Sequence, residues 1–542
     1  MHGRSVRMIA TIRVLHRQTK NDRNLARRIV SNLTAISSYE EALASFSWDR
    51  LWTLFDGTPD RFNLAVECLD RHAARGMAID VKFNDGHIES YSFAELAAST
   101  GRFAHWLAAQ GVQSGERVAV MLEPGRAFYT ALFGAIKRGA IAVPMFTLFG
   151  SDGIALRVED CKPRLMVVEP GRGAALRGMV GDVRIVEADA TFWAALEAFD
   201  PVFVPTTRAS DLAVFQYTSG TTRELPEAVK HSQRAIVTLM IAALYGVGLR
   251  PQDRYFCPSS PAWGHGLWHG TIAPLALGVR IASYSGKFEV ERIFEALQEL
   301  SITNFAAAAT VYRMLRNAGI RDRFRIALDK ASYTGEPMDT ETFRWVESAF
   351  GVTPCSMYGT TEVGVLIVNF PGYTGYEVRA GTLGKPVPGL HVAIVDRQGN
   401  ELPHGERGEI AVKRKGEWFY VKDRGFRDAD GYFIHEGRSD DVIISAGWTL
   451  SAVEIENALM KHPAVLEAAA IGVPDAVRGQ VVKAFIVARD RTADTEESVQ
   501  RFMKNTLGQH EYPRVIEFVE ALPKTPAGKV NRKVLRDRER SS

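Results

Sequence analysis

The sequence predicts an α/β protein with a small C-terminal α+β domain, and three observations carry that prediction. Between residues 93 and 186, short apolar runs alternate with amphipathic stretches, the pattern of helices packed on a mainly parallel sheet. Near 381–430 the texture changes to Gly, Pro and Asp between short apolar runs, which reads as hairpins of a β-rich subdomain. After Arg438 helix-like and strand-like stretches alternate again. With 542 residues, 46% hydrophobic and 24% charged, the chain buries substantial cores and divides into two or more domains.

The first long helix is expected over 93–110. Phe93, Leu96, Phe103, Trp106 and Leu107 fall largely on one face, and Gly111 ends it. Residues 117–122 read as a strand, 127–138 as a helix stopped at Gly139, and Ile141–Pro144 as the next strand. Further strands are expected at Leu165–Val168 and 183–186. The apolar run 235–249 is too short to span a membrane and contains Gly246 and Gly248, so a buried helix is expected. In the β-rich region, 391–395 and 409–412 are strands beside a turn at 396–400. Beyond a boundary near Ser439-Asp440, helices are expected at 452–460 and 497–507 and strands at 468–473 and 481–487.

Composition excludes several function classes. The net charge of +3 is too balanced to argue for a nucleic-acid or anionic-membrane partner. Cys68, Cys161, Cys257 and Cys355 stand apart, so neither a zinc cluster nor a disulfide framework is indicated, and they read as buried thiols in a reducing compartment. Residues 1–38 carry Arg4, Arg7, Arg13, Arg17, Lys20, Arg23, Arg27 and Arg28 against one acid, Asp22. Two readings fit this basic extension: an organelle transit peptide, or else a disordered bacterial extension or a misplaced start codon. The expected location is cytoplasmic, or an organelle matrix under the first reading.

The chemistry centres on the stretch after Leu212-Ala213-Val214-Phe215, a buried strand. Thr218-Ser219-Gly220-Thr221-Thr222 follows it. Small hydroxyl residues around a Gly turn tightly and aim donors at one point, as a polyphosphate requires. An ordinary Ser/Thr/Gly turn is the alternative. Neither GxxxxGK[ST] nor GxGxxG occurs.

Six stretches, in order, resemble the motifs of the adenylate-forming enzymes: acyl-CoA synthetases, peptide-synthetase adenylation domains and luciferase. They span nearly the whole chain after Tyr39. Thr218–Thr222 with Pro226 resembles the phosphate loop TSGTTG-x-PKG, but Arg223 replaces Gly, Glu227 replaces Lys, Ala228 replaces Gly, and Leu225 looks inserted. Arg223 or Lys230 is then the candidate to replace the missing positive charge. Gly335-Glu336-Pro337 resembles the adenine-binding turn. Tyr358-Gly359-Thr360-Thr361-Glu362-Val363-Gly364 resembles YG-x-TE-x-G. It implies Tyr358 on adenine, Thr361 at the α-phosphate and Glu362 on Mg²⁺. Asp423-Arg424-Gly425 implies a ribose-binding carboxylate at Asp423, with Lys422 where Gly is usual. Arg438-Ser439-Asp440-Asp441 implies a nucleotide contact at Arg438 and a hinge at Asp440, and Gly447 falls in the segment lining the CoA pantetheine tunnel. The run 523–530, PKTPAGKV, implies a catalytic lysine, Lys529.

The resemblance therefore implies an N-terminal AMP-binding domain over 39–438 and a small mobile C-terminal lid domain over 439–542. The implied activity is an acyl-CoA synthetase using ATP, Mg²⁺ and CoA to convert a carboxylic acid through acyl-AMP to acyl-CoA. The relatives it most resembles are the acetyl- and medium-chain acyl-CoA synthetases. Two other readings stay open: delivery of the acyl group to a carrier protein or other acceptor, and a nucleotide-binding relative without catalysis. For the acid, Gly359 stands where acetate-selective relatives carry Trp, and Trp263, Gly264 and Leu267 fall where the family draws pocket wall. With no evident cation there for a second carboxylate, a medium-chain or small aromatic acid is expected.

Overall fold

The computed structural model describes residues 33–217, 228–360, 363–438, 443–445, 448–450, 452–475, 479–506, 512–525 and 528–541. Most of the basic N-terminal stretch, and the phosphate-loop residues Thr218 to Glu227, lie outside these. So do Thr361, Glu362, Asp440 and Gly447. The expectation of disorder up to residue 38 needs correction at its end. Leu33 and Ile36 are buried in the main core, and Thr374 N donates to Ser37 O at 2.7 Å. Two apolar side chains two turns before Tyr39 are enough to draw this segment into the core.

Among the described residues, two large sheets build the N-terminal region. The first has nine strands, in the order Lys385–Pro386, Gly364–Val368, Pro354–Thr360, Lys330–Thr334, Asn304–Ala308, Arg254–Phe256, Arg280–Ser285, Met77–Phe83 and Ile88–Ser92. Its central run from Pro354–Thr360 to Met77–Phe83 is parallel throughout. The second has six strands, Arg184–Glu187, Leu165–Val168, Arg117–Met121, Ile141–Pro144, Leu212–Gln216 and Val229–Ser232, antiparallel only at the last pair.

Local sequence explains the helices that join them. Phe93–Ala109 begins at a reciprocal cap, Ser92 Oγ accepting from Glu95 N while Glu95 carboxylate accepts from Ser92 N. Arg126–Arg138 ends at Gly139 with φ +82°. The two helices meet closely where Gly134 faces Phe103; a methyl built there would fall 3.0 Å from Phe103 Cβ. Between them Lys137 is fully buried, its Nζ 2.8 Å from Asp70 and from Thr100 Oγ1. Removing Asp70, which is partly exposed, would leave the Lys137 charge buried without its counter-ion, at a cost of up to about 3–5 kcal/mol. The expected buried helix at 235–249 forms as Ala235–Ile241 running into a π-helical turn, Ala242–Gly246.

The β-rich subdomain is a four-stranded antiparallel sheet, Val392–Val395, Gly408–Arg414, Glu417–Arg427 and Phe433–Arg438. The C-terminal region packs Ala452–Leu459 and Ala493–Thr506 against the three-stranded sheet Val465–Asp475, Gly479–Ala488 and Val515–Phe518. Both arrangements agree with the expected architecture. All four cysteines are buried. Among the described residues no helix is long and apolar enough to cross a membrane.

Candidate active site

Four neighbouring parallel strands end on the same edge, and their carboxyl ends supply the site. Arg254–Phe256 leads to Cys257 and Ser259, Asn304–Ala308 to Thr310, Lys330–Thr334 to Gly335-Glu336-Pro337, and Pro354–Thr360 carries Tyr358 and Thr360. This is where open parallel sheets bind ligands.

Gly335 has φ +95°, a conformation side chains rarely adopt, which exposes its backbone at the end of the strand. Thr334 Oγ1 ties this end to the next strand by donating to Met357 O at 2.7 Å. Glu336 is not a bare turn charge: Thr310 Oγ1 donates to its Oε1, and Arg313 approaches at 3.4 Å. Tyr358 and Asp423, far apart in sequence, meet directly, with Tyr358 Oη donating to Asp423 Oδ2 at 2.5 Å. His435 Nε2 lies 3.6 Å from the same oxygen. Asp423 is buried on the strand Glu417–Arg427, opposite Arg438 in register. The preceding Lys422 has φ +64°, which accounts physically for the Gly usual at that place.

Lys529 comes to this centre from the C-terminal region. Its loop is closed by its own bonds: Thr525 N donates to Lys529 O at 2.7 Å, Gly528 N to Thr525 O at 2.8 Å, and Asn531 N to Pro523 O at 2.7 Å. The lysine side chain lies across Gly335, so that a methyl built on that glycine would sit 3.2 Å from Cε and 3.9 Å from Nζ. Thr310 Oγ1 also reaches Gly528 O at 3.4 Å.

On the other sheet, Leu212–Gln216 and Val229–Ser232 pair as the flanks of the phosphate-loop segment, with Gln216 opposite Val229. Tyr217 at this strand end donates to Asp160 at 2.6 Å. Lys230 is exposed, its Nζ 5.4 Å from the Phe215 ring.

The expected acyl wall divides. Trp263 is partly open and packs against Phe146 at 5.6 Å, where the two sheets meet. Gly264 lies against Gln216, whose Nε2 would be 2.7 Å from an added methyl. Leu267 has no open surface and belongs to the core, as does Trp268, which donates Nε1 to Gln216 Oε1 at 2.8 Å. Gly359 is not an emptied pocket position. A methyl there would fall 2.0 Å from Gly364 O and 2.7 Å from Val365 Cα, so the return strand itself requires glycine. The sequence reading gave no role to Thr310, Arg313 or His435, which carry no local signal and are joined to the site by tertiary contacts.

The AMP-binding enzyme family model matches residues 69–417, and the AMP-binding enzyme C-terminal domain model matches 454–529. The chain belongs to the AMP-binding enzyme family. The acetyl-coenzyme A synthetase of Bacillus subtilis is 31% identical over 551 residues, covering 92% of this chain and 95% of that protein. The crystal structure of a Brucella canis acyl-CoA synthetase superposes with TM-score 0.72 at 31% identity, over 93% of this chain and 99% of that one. The anthranilate CoA ligase AuaEII, in complex with anthranoyl-AMP, superposes with TM-score 0.80 at 26% identity, over 89% and 98%. This AMP-binding enzyme is an AMP-forming acid–thiol ligase, related to the acyl-CoA synthetases along nearly its whole length.

Proposed function

We propose that the protein is an ATP-dependent acyl-CoA synthetase for a medium-chain or small aromatic acid. The acid's carboxylate attacks the α-phosphorus of ATP and pyrophosphate leaves, giving acyl-AMP. The CoA thiol then attacks the acyl carbon and AMP leaves. The observation that carries this reading is Lys529 lying across Gly335, beside the Tyr358–Asp423 pair. An ammonium there neutralises charge on both a carboxylate and a phosphate, and the tyrosine and aspartate offer a ring face and a ribose acceptor.

The remaining roles follow the motifs. Thr218, Ser219, Gly220, Thr221 and Thr222 hold phosphates, Glu336 and Pro337 shape the adenine turn, Thr361 contacts the α-phosphate, and Arg438 contacts the nucleotide. Gly447 lines the CoA path. Asp440 is the pivot between an N-terminal domain ending at 438 and a lid over 439–542, and rotation there exchanges Lys529 for the thiol. Oxygen donors at Glu362 fit Mg²⁺, and the neighbouring Thr360 Oγ1 is buried without a partner among the described residues. When bound, Mg²⁺ neutralises phosphate charge. Trp263 with Phe146 supports an apolar acid. Each buried methylene contributes about 0.8 kcal/mol, so longer acids should outrun acetate.

The test is acid-dependent pyrophosphate release over acetate, butyrate, hexanoate, octanoate and benzoate, with and without CoA, in wild type and Lys529→Ala. The variant should lose pyrophosphate release yet convert supplied acyl-AMP to acyl-CoA. Equal loss of both half-reactions would remove Lys529 from its role. A preference for acetate would overturn the assignment of the acid, and CoA-independent product would overturn that of the acceptor.

A further inference from the structure

Asp423 is a buried carboxylate, its side chain 11% exposed, and among the described residues no lysine or arginine pairs with it. A buried charge needs compensation. Two groups supply it, both at Oδ2: Tyr358 Oη donates at 2.5 Å, and His435 Nε2 stands at 3.6 Å. Oδ1 has no hydrogen-bond partner among the described residues. The local strand pairing explains how His435 arrives there. Between Glu417–Arg427 and Phe433–Arg438, Asp423 pairs with Arg438 but Gly425 with His435, so a β-bulge leaves Glu436 without an opposite residue. Bulges re-aim side chains. This one turns His435 to the face of Asp423, opposite Gly425, where a methyl would fall 2.1 Å from Ile434 O and only glycine fits.

The His435 side chain is 12% exposed, and its Nδ1 is buried with no hydrogen-bond partner among the described residues. A neutral imidazole carries its proton on one nitrogen, and the nitrogen with an acceptor before it is Nε2. A protonated ring carries a proton on both. In either form Nε2 presents an N–H to Asp423. At 3.6 Å the contact is electrostatic rather than a closed hydrogen bond. Such contacts tighten once a ligand is seated. The torsion that turns a carboxylate plane is soft. One donor at Oδ2 leaves the plane free to swing, and a second from a separate strand restrains it. Tyr358 comes from Pro354–Thr360 and His435 from Phe433–Arg438, their ring centroids 6.0 Å apart with the planes at 50°.

We propose that His435 is a positioning residue: with Tyr358 it holds Asp423 so that Oδ1 meets a ribose hydroxyl, and it thereby sets how strongly the protein prefers a ribonucleotide to a deoxyribonucleotide. The inference rests on the reading of Asp423 as the ribose acceptor and adds the group that aims it. A hydroxyl donating to a carboxylate makes a charge-assisted bond, which weakens when the acceptor oxygen turns away. Removing His435 therefore weakens the binding of nucleotides that carry the hydroxyl and leaves that of nucleotides lacking it almost unchanged.

The experiment is calorimetric titration of the full chain with ATP, 2′-deoxyATP and 3′-deoxyATP in the presence of Mg²⁺, which needs neither acid nor CoA. In wild type, ATP should bind about ten- to a hundredfold more tightly than at least one deoxy analogue. His435→Leu should cut that preference about fivefold. His435→Gln, whose amide nitrogen reaches the place of Nε2, should keep most of it, whereas the shorter His435→Asn should not. A general loss of stability weakens all of these nucleotides together and leaves their ratio in place. An unchanged ratio in His435→Leu overturns the inference. Equal ratios in the Gln and Asn variants overturn it too, even if the leucine variant does not fold. Asp423→Asn separates the two readings. If it abolishes the preference while His435→Leu keeps it, Asp423 stands as the ribose acceptor and His435 alone is dismissed. If wild type shows no preference, or Asp423→Asn keeps it, the ribose reading itself falls.

Discussion

Gly335→Ala tests how Lys529 is positioned. Two costs follow from the geometry. At φ +95° a side chain is strained by about 1–2 kcal/mol, which lowers stability but affects both half-reactions alike. The new methyl would also stand 3.2 Å from Lys529 Cε, inside the ordinary carbon–carbon contact of about 3.5–4.0 Å. The lysine must therefore retreat by about 0.3–0.8 Å. If a 1 Å misplacement costs about a hundredfold, that retreat slows adenylation by about four- to fortyfold. Thioester formation from supplied acyl-AMP, from which the proposed mechanism leaves the lysine out, should fall much less. The assay compares pyrophosphate release with single-turnover conversion of synthetic acyl-AMP at a temperature where the variant is folded. Adenylation within twofold of wild type, or equal losses in both reactions, would refute the argument.

Three further outcomes are expected. Tyr358→Phe keeps the ring but removes the hydroxyl bonded to Asp423, and losing a charge-assisted hydrogen bond should raise the KM for ATP about tenfold; an unchanged KM would leave ring stacking as the residue's whole contribution. Lys422→Gly relieves left-handed strain and should raise the melting temperature, by a free energy of up to about 1 kcal/mol after the entropy cost of glycine; a lowered melting temperature would contradict this. Gly359→Ala should destabilise the protein without shifting the preference among acids, because the methyl meets the backbone of Gly364; a stable variant with a changed acid profile would return Gly359 to the pocket.

The legible parts of this sequence were those with local causes. The helix Phe93–Ala109 was readable from its apolar face and from Gly111 after it, and Arg126–Arg138 from the glycine that ends it. The central sheet was much less so, since Arg254–Phe256 lies between Arg280–Ser285 and Asn304–Ala308 in an order set by tertiary pairing, and a three-residue strand leaves almost no periodic signal. In the site, Gly335, Tyr358, Asp423 and Lys529 were legible because motif spacing marks them. The Tyr358–Asp423 bond was not, since it joins residues 65 positions apart. Gly359 was misjudged for a related reason: its constraint comes from the return strand, whose approach only the fold reveals. The bulge that turns His435 toward Asp423 has no signature in a single sequence.

The self-closed loop around Lys529 has a further consequence. Its bend is fixed by Thr525, Gly528, Asn531 and Pro523, all within one short stretch of chain. The lysine is thus mounted on a hook whose described ends are tied to each other, with Thr310 Oγ1 adding one bond from the surface it touches. Under the proposed lid movement, withdrawing the C-terminal region would carry these local bonds with it, since each joins residues of the same stretch. If the proposed hinge at Asp440 carries that movement, the lysine is engaged and released with its loop bonds kept, and the hinge is where the rate of exchange is to be sought.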